Sequence, residues 1–193
     1  CTMKYNPKRN ERLANLPGLA HLHPYQPEST IQGLLQLLFE FQEMLREISG
    51  LPGVSLQPAA GAHGELTALM VAASYFRDHD EKRTKILTPD SAHGTNPASA
   101  VAAGFKVVTI KCDAEGNIDL LDLRAKAAEH AADLGALMIT YPSTHGVFEE
   151  SILDVCAIVH EHGGQVYLDG ANMNAMVGLV RPGELGADVC HLN

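Results

Sequence analysis

Asp169 follows the apolar run Val166-Tyr-Leu168 and precedes Gly170-Ala-Asn-Met-Asn174, which puts one carboxylate where a short strand should end and open into a loop. A carboxylate in that position is partly desolvated and needs a positive or hydrogen-bond-donating partner. The protonated nitrogen of a pyridine ring meets the need: at contact distance and an effective dielectric near 20, such a pair gains about 5 kcal/mol before desolvation. The pairing keeps the ring cationic and able to accept electrons, and Ala171 is small enough for a flat ring to lie against. A metal-bound aspartate and an aspartate capping the next turn are the other readings of this position.

Two more loops carry groups suited to a flat ligand. In Asp90-Ser-Ala-His-Gly-Thr-Asn-Pro97 the imidazole of His93 stands between small residues, where it either stacks on a ring or hydrogen-bonds within a tight turn. Thr140-Tyr-Pro-Ser-Thr-His-Gly-Val147 offers Ser143, Thr144 and His145 to a phenolic oxygen, although turn formation alone accounts for the Ser and Thr. Upstream, Gln57-Pro-Ala-Ala-Gly-Ala-His-Gly-Glu65 is a glycine-containing turn feeding a helix, whose first-turn amides can cradle a phosphate. An ordinary turn and cap explains that segment at least as well.

The elements that must position these groups alternate along the chain. Apolar residues Ile31, Leu34, Leu35, Leu38, Phe41, Leu45 and Ile48 recur every three or four positions, predicting a helix that starts at Ser29 or Thr30 as N-cap and stops at Gly50 and Pro52. Helices are expected over 64–76, 97–103, 120–134 and 152–162, and strands over 85–88, 106–110, 136–140 and 166–168. That alternation predicts an α/β domain with a largely parallel sheet. Such sheets bind ligands outside the carboxyl ends of their strands, so the loops opening at Thr88, Thr140 and Asp169 should share one rim. Residues 1–27, rich in Pro, Asn and Arg, show no sustained period and read as an extended arm.

Composition excludes several classes. With 193 residues, 46% of them hydrophobic and 19% charged, the chain can bury one sizeable core. A net charge of −9 with only 14 Lys plus Arg argues against a nucleic-acid or anionic-membrane surface. No apolar run reaches the length of a membrane span, and no signal-like segment opens the chain, so no membrane association is expected. Cys1, Cys112, Cys156 and Cys190 are scattered, which favours a reduced compartment and no zinc site. His21 and His23 would suit a metal, but Pro24 and Pro27 make a pinned surface loop the simpler reading, and no metal is expected.

Five ordered blocks identify a family. Cys1-Thr-Met-Lys-Tyr-Asn-Pro7, Ser91-Ala-His-Gly-Thr-Asn-Pro-Ala98, Tyr141-Pro-Ser-Thr-His-Gly-Val147, Leu168-Asp-Gly-Ala-Asn-Met-Asn174 and His191-Leu-Asn193 resemble the pyridoxal phosphate (PLP)-dependent P-proteins of the glycine cleavage system, the glycine dehydrogenases (decarboxylating). The resemblance spans residues 1–193 and is greatest to the second subunit of the two-subunit bacterial form.

What the resemblance implies is an aminotransferase-like α/β fold, fold type I, with 28–193 as the PLP-binding large domain. In the family a lysine that anchors the cofactor follows His-Leu-Asn within a few residues. None of this chain's lysines, Lys85, Lys106 and Lys111 included, matches it, so the domain is expected to stop before that lysine and before a small carboxyl-terminal domain, and to be inactive alone. By the same resemblance His93 stacks on the cofactor ring, Asp169 pairs with the pyridine nitrogen, Ala171 covers the opposite face and Thr144 neighbours the phenolic oxygen. Ala62, His63 and Asn193 are assigned to the phosphate from the general fold type. The implied reaction is glycine decarboxylation with transfer of the aminomethyl group to the lipoyl arm of H-protein, in the cytoplasm, with P-protein subunit 1 completing a heterotetramer. The arm around His21, His23 and Tyr25 is the expected wall for the lipoyl channel. A non-catalytic PLP-fold subunit serving as docking partner is the alternative.

Overall fold

Alternation of side chains along buried strands organises the molecule, a computed structural model that describes residues 7–193. Five strands, β1 (Lys85–Pro89), β2 (Lys106–Ile110), β3 (Leu134–Thr140), β4 (Gln165–Gly170) and β5 (Val189–Leu192), form one sheet in the order β2-β1-β3-β4-β5, and every pairing is parallel. Successive residues of a strand face opposite sides. Leu87, Leu137, Ile139, Val166 and Leu168 accordingly enter one core, while Ile86, Ala136, Met138 and Tyr167 enter the other. Central β3 is buried along its whole length, as a strand covered on both faces must be.

Helices α6 (Leu120–Glu129) and α7 (Ile152–Glu161) supply Leu123, Ala127, Val155, Ile158 and Val159 to the first core. Helices α4 (Gly61–Asp78) and α5 (Thr95–Ala102) supply Ala68, Leu69 and Ala100 to the second. The strand order reverses between β1 and β3, which opens a crevice at their carboxyl ends. The loops after β1, β3 and β4 therefore share one rim, as expected from the sequence.

Several boundaries differ from the sequence-based expectation. The amino-terminal arm is not extended: over the described residues it holds two short helices, α1 (Lys8–Ala14) and α2 (Pro17–Ala20), with no buried residue, too brief to leave a period in the sequence. The long helix α3 (Gln32–Ser49) begins later than Ser29 or Thr30. Residues Glu28–Thr30 form a 3-10 turn, and the Thr30 hydroxyl donates to the Pro27 carbonyl instead of capping. Its far end is as expected, with Gly50 in the left-handed region at φ 69° donating its N–H to Arg46. Helix α6 ends at Glu129 because Leu134 and Gly135 join the buried strand β3. Strand β5, absent from the expectation, completes the sheet edge beside β4.

Candidate cofactor site

Strand register builds the site. Thr140 of β3 pairs with Asp169 of β4, and Asp169 pairs with His191 of β5, so three polar residues stand in a row across adjacent strands. Period two places Asp169 on the same face as Tyr167, beneath α4 and α5. Asp169 is thus the penultimate residue of β4, not the first of the following loop, and is only 3% exposed.

Its surroundings are polar. Oδ1 accepts the Ala171 N–H at 3.0 Å and lies 3.4 Å from His191 Nε2. Oδ2 lies 3.3 Å from the Thr140 hydroxyl and, with the Asn96 amide turned so that its nitrogen faces the carboxylates, 3.3 Å from that nitrogen. Burial pushes the Tyr167 phenol far above its usual range, helped by the Asp169 and Glu65 carboxylates. The phenol therefore keeps its proton and lies 2.6 Å from His191 Nδ1, while Nε2 of the same ring faces Asp169.

Glu65 on α4, 5% exposed, is the second buried carboxylate. It accepts the hydroxyls of Thr95 at 2.9 Å and Ser99 at 3.2 Å, and the Asn96 nitrogen at 3.3 Å. Gly64 allows this approach: a Cβ there would stand 2.8 Å from the His191 Cβ, so only glycine lets α4 rest on β5. Ligand atoms of Glu65, Asp169 and His191 lie within 4.8 Å of one another, but the hydroxyl, amide and phenol donors just described already engage them.

The remaining expected residues lie in several places and line no single cavity. His93, exposed on the β1 loop, has Nδ1 2.7 Å from the Thr95 hydroxyl. Ala171 is half-buried just after β4. Thr144, exposed, lines a cavity of about 20 Å³ at the crevice between β1 and β3, together with Ser91, Ala92, Thr140 and Ser143. His145 is exposed, and its N–H donates to Ser143 Oγ, a turn contact. Ala62 and His63 occupy the first turn of α4, which has no side-chain cap, so the expected helix at 64–76 starts three residues earlier. Gly61 and Asn193 line one open groove of about 990 Å³, whose opposite wall is the apolar face of α3 at Leu38, Phe41 and Leu45. His21, His23 and Tyr25 are exposed and line neither space; the His23 imidazole accepts the Tyr25 N–H within its own turn. Lys85 sits at the amino end of β1, engaged by His130 and Asp133, away from the site.

Sequence reasoning did not single out Glu65, Asn96, Thr140 or Tyr167. A signal existed for Glu65 and Asn96, since polar residues on the inward side of otherwise apolar or small-residue helices must find partners. Thr140 and Tyr167 became site residues only through register.

This donor set fits a cationic heterocycle. Three of the four contacts to Asp169 lie at 3.3–3.4 Å, the long limit for hydrogen bonds, so a buried anion here is underbonded and can accept a charged N–H.

The sequence matches the family profile described as Glycine cleavage system P-protein over residues 8–191. The chain belongs to that family. It is 59% identical over its full length to a probable glycine dehydrogenase (decarboxylating) subunit 2 from Rhodopirellula baltica, of which it covers 38%. The crystal structure of a glycine decarboxylase (P-protein) in inhibitor-bound form aligns over 95% of this chain and 40% of its own, with a TM-score of 0.76 and 25% identity. A structure of Oryza sativa TDC with PLP and tryptamine aligns over 82% of this chain and 39% of its own, at TM-score 0.63 and 15% identity, which shows the shared fold alone. The architecture is that of the fold type I PLP-dependent enzymes, and the chain spans about two fifths of the length of its curated relatives. Among the described residues no helix is long and apolar enough to cross a membrane.

Proposed function

We propose that these residues form the pyridoxal phosphate-binding part of a glycine dehydrogenase (decarboxylating) of the subunit 2 type, which releases carbon dioxide from glycine and passes the aminomethyl group to the lipoyl arm of H-protein. The observation that carries the reading is the buried, underbonded Asp169 carboxylate at the carboxyl end of β4. Pyridoxal phosphate, bound there, supplies an electron sink for the pair left when glycine's carboxylate departs. Asp169 holds the proton on the ring nitrogen, since a desolvated carboxylate favours a cationic donor over a neutral one. His93 and Ala171 take the two ring faces. Thr144 takes the phenolic oxygen, and the amides of Ala62 and His63 in the uncapped first turn of α4, together with Asn193, take the phosphate.

The partners under this reading are glycine, lipoylated H-protein and a first P-protein subunit in a heterotetramer. Relatives named as subunit 2 support a second subunit. A cytoplasmic location is supported by the free thiols of Cys112, Cys156 and Cys190. The test combines the full-length protein with its partner subunit, lipoylated H-protein and PLP, and follows labelled carbon dioxide from carboxyl-labelled glycine. Release that depends on all components is expected; a protein that binds no PLP overturns the reading.

A further inference from the structure

Glu65 is not among the residues assigned to the cofactor, yet its hydrogen bonds run toward both His93 and Asp169, the groups assigned to the ring. Oε1 accepts the Thr95 hydroxyl, and Thr95 Oγ1 lies 2.7 Å from His93 Nδ1. Oε2 accepts Ser99 and the Asn96 amide nitrogen, which also faces Asp169. Thr95, Asn96 and Ser99 all belong to α5, and none of the ion pairs among the described residues involves Glu65. A carboxylate buried without a cation, whose three donors all come from the helix that follows the ring-stacking loop, has a role beyond packing.

Proton positions define that role. A hydroxyl has one proton. Because Thr95 gives it to Glu65, the Thr95 oxygen is held facing His93 Nδ1 at 2.7 Å. The Thr95 N–H donates to the same Nδ1 at 3.2 Å, so residue 95 holds the imidazole by both its hydroxyl and its backbone. Resting on the PLP-site reading above, we propose that Glu65 is a positioning residue of the cofactor site: through Thr95 it fixes the ring orientation of His93, and through Asn96 it holds an amide donor on Asp169.

The substitution Glu65→Gln reverses the first arm. An amide nitrogen at the Oε2 position would face the Asn96 nitrogen, donor against donor, so the new side chain turns its nitrogen toward Thr95 instead. The Thr95 hydroxyl then accepts from the amide, and its proton turns away from residue 65 toward His93, which disturbs the arrangement that holds the imidazole.

The experiment titrates PLP into the full-length protein, assembled with its partner subunit, and reads the dissociation constant by visible absorption alongside thermal unfolding of the cofactor-free form. Glu65→Gln and Thr95→Val are each expected to weaken PLP about tenfold, about 1.4 kcal/mol, while Thr95→Ser, which keeps the hydroxyl, stays within about threefold of wild type. The double variant Glu65→Gln/Thr95→Val should bind no more weakly than Thr95→Val alone, because both changes cut one relay. Additive losses, or wild-type affinity in Glu65→Gln, overturn the proposal. If Glu65→Gln fails to fold, the Thr95 pair decides: equal affinities for Val and Ser overturn it. Wild-type protein that binds no PLP sinks the functional reading itself, whereas wild-type binding with indifferent variants sinks only the role of Glu65.

Discussion

Asp169→Asn isolates the charge that the site is built around. Its Oδ1 accepts the Ala171 N–H at 3.0 Å, the one contact of ordinary length, so the asparagine keeps its carbonyl there and presents its amide nitrogen where Oδ2 stood. That nitrogen then faces Thr140, whose hydroxyl can rotate to accept, and the Asn96 nitrogen, which cannot. One buried donor left facing a donor costs about 1–3 kcal/mol of cofactor-free stability, which for a chain of this size lowers Tm by roughly 2–12 °C. The larger effect falls on the cofactor. A hydrogen bond to a charged group contributes about 1.5–3 kcal/mol, so PLP affinity should drop roughly 10- to 150-fold. Decarboxylation should fall further than binding, because a neutral amide cannot keep the ring nitrogen protonated. Equilibrium titration with PLP and labelled carbon dioxide release, both in the full-length protein with its partner subunit, separate the two losses. Affinity within about threefold of wild type together with undiminished release would refute the pairing of Asp169 with a ring nitrogen.

The remaining expectations follow from single contacts. His93→Ala removes an exposed side chain, so cofactor-free Tm should hardly move, while the lost stacking, about 0.5–1.5 kcal/mol, should weaken PLP roughly two- to tenfold; a variant that loses only Tm returns His93 to a turn role. Gly64→Ala drives a methyl to 2.8 Å from the His191 Cβ, close to two backbones with little room to yield. It should cost about 1–3 kcal/mol, read as a lower Tm, and an unchanged Tm would mean that α4 can lift from β5 freely. Burial pushes the thiols of Cys156 up to about 11 and Cys190 up to about 12, with the Asp188 and Asp169 carboxylates respectively adding to the rise. Both should resist iodoacetamide at pH 8 until the protein is unfolded, as mass spectrometry of the labelled peptides would reveal. Since the folded thiols stay protonated while unfolded ones ionise near 9.0, their contribution to stability is complete below pH 9 and is lost as pH rises toward 11. Rapid labelling of Cys156 in native protein would contradict that burial.

The alternation of helices and strands, the shared rim of the loops after β1, β3 and β4, and the chemical types at His93, Thr144 and Asp169 were legible before any coordinates. Those features are local: apolar period, a turn residue, a carboxylate after Val166-Tyr-Leu168. Long-range pairing added the rest: β5 exists and brings His191 beside Asp169, Thr140 stands in the same row, and Tyr167 meets the His191 imidazole. It also decided that Glu65, in α4, meets Thr95, Asn96 and Ser99 of α5, which lie far along the chain from it. The physical reason is register. Each strand has a period of two, so a polar residue's face is set by the strand, but which polar residues stand abreast depends on how far neighbouring strands slide past one another, and that offset is chosen by packing of Leu69, Met138 and Tyr167 between sheet and helices.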